Sequence, residues 1–138
     1  ARISTAGAVI EIELLAADAP LTVRNFMTLA ERRYFDGARW HRVVPNFVIQ
    51  DGDPYGSGSG GPGYAIRDEM NRVRYLDGAV GMALSGPNTG GSQFFITHSP
   101  QPHLDGGYTV FGRVTPGSMP AVFRVAQDDL IEWIQIVR

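Results

Sequence analysis

The clearest local pattern is an alternation. Ile10, Ile12 and Leu14 fall on one face of the run Val9 to Leu14, with Glu11 and Glu13 on the other. That period of two predicts a half-buried strand. The period then changes. After Asp18-Ala-Pro-Leu-Thr, the apolar positions Val23, Phe26, Met27, Leu29, Ala30 and Tyr34 recur at spacings of three and four, which predicts an amphipathic helix from Pro20 or Leu21 to about Arg33. Asp18 or Thr22 is the expected cap, and Gly37 closes the region.

β-Branched and aromatic residues dominate Ala38 to Val44 and Phe47 to Gln50, on either side of Pro45-Asn46. Two short strands meeting at a bend follow from this. Residues 51–63 (DGDPYGSGSGGPG) are too rich in glycine and proline for a helix or a central strand, and predict a loop ordered by packing. Strands are further expected at Ala79 to Leu84, Gln93 to His98, Tyr108 to Val114 and Ile131 to Val137, with a short helix at Met119 to Ala126. Many short strands and two helices predict a mainly β fold, a closed antiparallel barrel with helices plugging its ends, because closure removes exposed edges.

A length of 138 residues places all of this, 1–138, in one domain. With 12 basic and 14 acidic side chains the net charge is −2, and no Lys/Arg cluster is long enough to track phosphates, so nucleic acid is not an expected partner. The apolar stretch Gly7 to Ala19 is interrupted by Glu11, Glu13 and Asp18, short of the roughly 18 residues a membrane helix needs. No membrane span is expected. The chain has no cysteine, which excludes disulfides, thiolate nucleophiles and cysteine-ligated zinc and leaves the compartment open. It starts at Ala1 without an initiator Met or a basic-then-apolar leader, which points to a processed or excised start.

Histidines 41, 98 and 103 invite a metal or triad, but no HExxH, His-x-His or Gly-x-Ser-x-Gly pattern accompanies them, so no metal site is expected. Asp51-Gly-Asp53 opens like a calcium loop, yet its twelfth position is Pro62 where a bidentate Glu belongs; a turn is the simpler reading. SGSGG at 57–61 lacks the Gly-Lys-Ser/Thr ending of a phosphate cradle. No cofactor is implied. What remains is Arg42 in WHRVVPNFVIQ, with Phe47 and Gln50, and Gln93 with Phe95 in GSQFFITH. Taken alone, Phe47 and Phe95 read as core residues rather than pocket walls, and Gln50 and Gln93 read equally as partners for backbone groups at a barrel end. Strand alternation turns His41 away from Arg42 and into the core.

The blocks WHRVVPNFVIQDGDP, GSGSGGPGY, GMALSGPNTGGSQFFIT and HLDGGYTVFGRV closely resemble the cyclophilin family of peptidyl-prolyl cis-trans isomerases, in the family's order and at nearly its spacing. The likeness runs from about Val9 to the last strand, and the compact Gly-rich loop looks like bacterial members. It implies an eight-stranded antiparallel barrel capped by two helices, acting as a monomeric domain on proline-containing peptides and on unfolded or flexible protein segments. Residue by residue, it implies that Arg42 is catalytic and that Gln50 is its hydrogen-bonding neighbour. Phe47, Phe95 and Leu104 become the walls of a proline pocket, with Val48 where many relatives have Met. Ala83, Leu84 and Gln93 would line the groove for residues before the proline.

Leu84 replaces a frequent Asn, His103 a common Trp and Tyr108 a common His, while Asp51 stands where a second Gly is usual. The missing indole implies weak cyclosporin binding. A non-catalytic module that recognises proline segments is the alternative these departures raise. Retention of Arg42, Phe47, Gln50 and Phe95 together favours catalysis.

Overall fold

The computed structural model describes all residues from Ala1 to Arg138. Eight strands make one antiparallel sheet: β1 (Arg2–Thr5), β2 (Ala8–Leu14), β3 (Arg42–Val44), β4 (Val48–Asp51), β5 (Ala79–Met82), β6 (Phe94–Thr97), β7 (Val110–Val114) and β8 (Ile131–Gln135). Their spatial order is β3-β4-β6-β5-β7-β2-β1-β8. Two helices, α1 (Pro20–Glu31) and α2 (Met119–Arg124), complete the fold.

The sheet is an open, curled half-barrel rather than the expected closed barrel. Edge strands β3 and β8 share no ladder. The gap between them is spanned by a single bridge, Arg39 to Leu130. The residues expected to extend β3, from Ala38 to His41, instead bond to the first residue of β8 and the loop before it: the Ile131 N–H donates to the Ala38 carbonyl at 2.8 Å, the Trp40 N–H to the Asp129 carbonyl at 2.9 Å and the Asp128 N–H to the Trp40 carbonyl at 3.0 Å.

Strand β1, absent from the sequence reading, pairs with β2 from Arg2 opposite Glu11 to Thr5 opposite Ala8. Ala6 and Gly7 turn the hairpin, with φ of 52° and 73°. Positive φ at both central residues matches the right-handed twist of the flanking strands.

Helix α1 begins at Pro20 as predicted, but neither Asp18 nor Thr22 caps it; the cap residue is Ala19, with no side-chain bond. A distant carboxylate does this work. Glu69 accepts the N–H of Leu21 (3.1 Å) and of Thr22 (2.6 Å) and the Thr22 hydroxyl (2.7 Å), neutralising orphan donors at the positive end of the helix.

The main core lies between the concave face of the sheet and the two helices, where Val23, Phe26 and Leu29 of α1 and Met119 and Val122 of α2 meet Ile49, Val80, Phe94 and Ile96. Val48, Ala79, Phe95 and Val110 alternate with these and point to the other face. There, with Tyr75 and Leu104, they form a second, smaller cluster. This explains why β5 and β6 are buried at every position.

Candidate functional site

The second cluster is roofed by a slot, and strand register builds it. Arg42 of β3 lies opposite Gln50 of β4, Gln50 opposite Phe95 of β6, and Phe95 opposite Gly81 of β5. Paired residues project to one face, so these four form a row across the outer surface. At one end of the row a tight turn, with Asn46 at φ 63° and the Phe47 N–H donating to the Val44 carbonyl at 3.0 Å, brings Phe47 back beside Arg42.

The slot encloses about 190 Å³ between Arg42, Phe47, Val48, Gln50, Ala83, Leu84, Phe95, Leu104 and Tyr108. Every one of these nine was a candidate on sequence grounds. Seven are hydrophobic, which suits a ring without polar atoms. Phe47 is half-buried and Phe95 buried, and neither enters the main core.

Arg42 is exposed and lies with Cζ 5.5 Å from the centroid of Phe47, a cation–π distance. The chain's two ion pairs, Arg2–Glu11 and Arg138–Glu31, do not involve it. Its guanidinium thus presents permanent donors over an apolar floor, without a carboxylate to absorb them.

The expected hydrogen bond between Gln50 and Arg42 is not formed. The Gln50 side-chain amide donates to Gln93 Oε1 at 3.0 Å, and Gln93 Nε2 donates to the carbonyls of Gly58 and Gly60, each at 3.0 Å. Neither glutamine bonds the guanidinium, which stays free. Gln93 borders a neighbouring groove of about 600 Å³ that runs along Gly58–Tyr64 and Ala83–Ser85 and meets the slot at Gln50, Ala83 and Leu84.

His103 lies outside the slot's lining. It is stacked on Phe47, with centroids 5.7 Å apart and planes at 28°. His41 is not a core residue as expected. It is half-exposed and packs beside Gly58 of the Gly-rich loop.

That loop is held by Asp53, which sequence reasoning took for a turn residue. Its buried carboxylate accepts the backbone N–H groups of Tyr55, Ser57, Gly58 and Gly60 and the Ser57 hydroxyl, all at 2.7–3.0 Å. Burial alone would raise its pKa, but these donors outweigh burial and hold the carboxyl well below the usual range. Asp51, two residues earlier, has the opposite fate. It is fully buried, takes one N–H from Gly52 at 2.6 Å and leaves Oδ2 without a partner. Burial, reinforced by the charge of Asp53, pushes it up to about 7.

Comparison with known proteins bears on this site. The family model described as cyclophilin type peptidyl-prolyl cis-trans isomerase/CLD matches residues 1–132. Peptidyl-prolyl cis-trans isomerase B of Bacillus subtilis (strain 168) is 54% identical over 110 residues, covering 78% of this chain and 77% of the relative. A peptidyl-prolyl cis-trans isomerase of Synechococcus elongatus is 46% identical over 129 residues, 93% of this chain and 89% of the relative. Among solved structures, a cyclophilin type peptidyl-prolyl cis-trans isomerase of Cryptosporidium parvum, crystallised in the presence of the dipeptide ala-pro, superposes with a TM-score of 0.83 at 31% identity, covering 94% of this chain and 96% of that one. The fold and these matches agree: the chain belongs to the cyclophilin-type peptidyl-prolyl cis-trans isomerases.

Proposed function

We propose that the slot receives the proline ring of a peptide and that Arg42 accelerates rotation about the preceding imide bond by donating a hydrogen bond to the prolyl nitrogen. Rotation faces a barrier of ~18–20 kcal/mol because amide resonance must be broken, and unaided it takes tens to hundreds of seconds. In either planar form the nitrogen lone pair is delocalised and accepts poorly. In the perpendicular form it localises and accepts well. A fixed donor at that atom therefore binds the transition state in preference to both ground states, and only such differential binding speeds the step.

The other residues follow from this geometry. Phe47, Phe95 and Leu104 grip the pyrrolidine and exclude water, which strengthens the contact with Arg42. Gln50 and Gln93 brace the margin shared with the adjoining groove, where Ala83 and Leu84 offer backbone groups to residues before the proline. Accelerating the step about 10⁵-fold takes roughly 7 kcal/mol, at 1.36 kcal/mol per decade, and no covalent intermediate is required.

The observation that carries this reading is a guanidinium without an ionic partner at the mouth of an apolar slot. Exchange of a short Ala-Pro-containing peptide, followed by NMR, tests it. Arg42→Ala is expected to lower the catalysed rate by about 10²–10³, the usual cost of losing one transition-state donor, while peptide affinity changes severalfold at most. Equal exchange rates in wild type and variant would remove Arg42 from the chemistry. Binding without accelerated exchange in the wild type would return the slot to simple recognition of proline segments.

A further inference from the structure

Phe95 forms part of the slot's floor, and what lies behind it is unusual. Tyr75 is only 1% exposed, yet it belongs to no strand or helix; it comes from the long connection between β4 and β5. Its ring stacks behind Phe95, with centroids 5.6 Å apart and planes at 20°. Phe95 in turn meets Tyr108 edge-on, at 5.9 Å and 87°. The Tyr75 hydroxyl donates to the Tyr108 carbonyl at 2.9 Å.

The backbone of Tyr75 is committed as well. Its N–H donates to the Asp105 carboxylate at 2.8 Å, and its carbonyl accepts the Gln101 N–H at 2.7 Å. These two contacts bracket the turn Pro102–Leu104, which carries His103 and Leu104. One residue thus touches the floor, the rim and the turn that supplies the third wall.

Gly81 makes room for it. A Cβ on Gly81 would collide with both the Tyr75 hydroxyl and the tip of Phe95. Gly81 stands opposite Phe95 in the row that starts at Arg42. A glycine inside a buried strand costs backbone entropy and packing area, and it is tolerated where another group must approach closely. Here that group is the phenol.

We propose that Tyr75 is a positioning residue for the isomerisation: through the space left by Gly81 it clamps Phe95 and Tyr108, and so fixes the proline ring relative to Arg42. The inference rests on the proposed role of the slot. It adds that the rate depends on a side chain that touches no substrate. Burial pushes the phenol far above its ordinary pKa, so it remains a donor at every working pH. Misplacing a reacting group by about 1 Å can cost 10²-fold in rate, and a loosened Phe95 would allow such a displacement.

The test uses two variants of the full chain, with Arg42→Ala alongside. Tyr75→Phe keeps the stacked ring and removes only the bond to Tyr108. Tyr75→Leu removes the stack too, and Tyr75→Phe keeps the test decisive if the Leu variant does not fold. Thermal unfolding establishes that each is fully folded at the assay temperature. NMR exchange at saturating Ala-Pro peptide then gives kcat, and titration gives Kd. The expected result is a graded loss of kcat, about threefold to tenfold for Tyr75→Phe and at least thirtyfold for Tyr75→Leu, with Kd within about twofold of wild type. A loss of stability alone would move neither constant in a fully folded sample. Wild-type kcat in Tyr75→Phe, or a loss confined to Kd, overturns the clamp. If Arg42→Ala keeps its rate while the Tyr75 variants lose theirs, the arginine's role fails and the clamp stands; the reverse removes the clamp and leaves the arginine.

Discussion

At the scale of single residues, the role proposed for the Arg42 guanidinium depends on what is absent around it. A carboxylate partner would hold its donors in the ground state as firmly as in the transition state, and such uniform binding adds nothing to the rate. Phe47 supplies attraction through its ring face, 5.5 Å away, without consuming an N–H. His103 stacks on the same ring, and the likeness to cyclophilins places it where eukaryotic members commonly carry Trp. An indole there would add a donor and apolar area toward a large cyclic ligand. His103→Trp is therefore expected to tighten cyclosporin about tenfold, read from inhibition of peptide exchange; unchanged inhibition would place position 103 off the ligand surface. Residues of the slot were legible because they fall in three of the four ordered blocks. Tyr75 was not legible, since its neighbours Val73, Arg74 and Leu76 show no period and its partners come from three distant segments. The one signal was Gly81, a glycine inside the strand-like run AVGMAL.

At the scale of elements, sequence pattern located both helices and seven of the eight strands to within a few residues, periodicity marking β2 and α1 and composition with flanking turn residues the rest. It failed where bonding, not burial, decides. Ala38 to His41 reads as strand from its side chains but spends its backbone on Ile131 at the start of β8 and on the loop before it. Strand β1 is four residues long and depends on a turn at Ala6-Gly7 that carries no Asn or Asp. The start of α1 is the clearest case. Its cap is supplied across 47 positions of sequence by Glu69, whose own N–H is anchored to Thr109 Oγ1 at 2.9 Å, next to Tyr108 of the slot. Glu69→Ala removes three charge-assisted bonds from the helix N-terminus and is expected to cost about 1–2 kcal/mol, lowering Tm by roughly 3–8 °C. An unchanged Tm would mean that Pro20 and solvent suffice to start the helix.

At the scale of the whole molecule, hydrogen-bonded and buried carboxyl groups act in opposite directions on stability as pH changes. Burial tends to raise Glu69, but the bonds from Thr22 and Leu21 outweigh it and hold it below its ordinary range; Asp53 is depressed in the same way. The stability these two lend is present above the ordinary carboxyl range and lost as pH falls through it. His98, lowered by burial, also loses stability on acidification, since the unfolded chain takes up its proton first. Asp51 runs the other way. With its folded pKa pushed from 3.8 up to about 7, the native state retains a proton that the unfolded chain has already released, so stability falls as pH rises from about 4 to 7 and stays lower above that. At 1.36 kcal/mol per pH unit the cost is at most roughly 4 kcal/mol. Asp51→Ala deletes this penalty together with the unpartnered Oδ2, and the depressed carboxylates are untouched. The expected outcome is a Tm that no longer declines between pH 5 and 8 and exceeds that of wild type at pH 8, with the advantage shrinking toward pH 4. Thermal unfolding across that range decides it: parallel curves for the two proteins would show that Asp51 titrates alike in both states, and that its buried oxygen finds a partner after all.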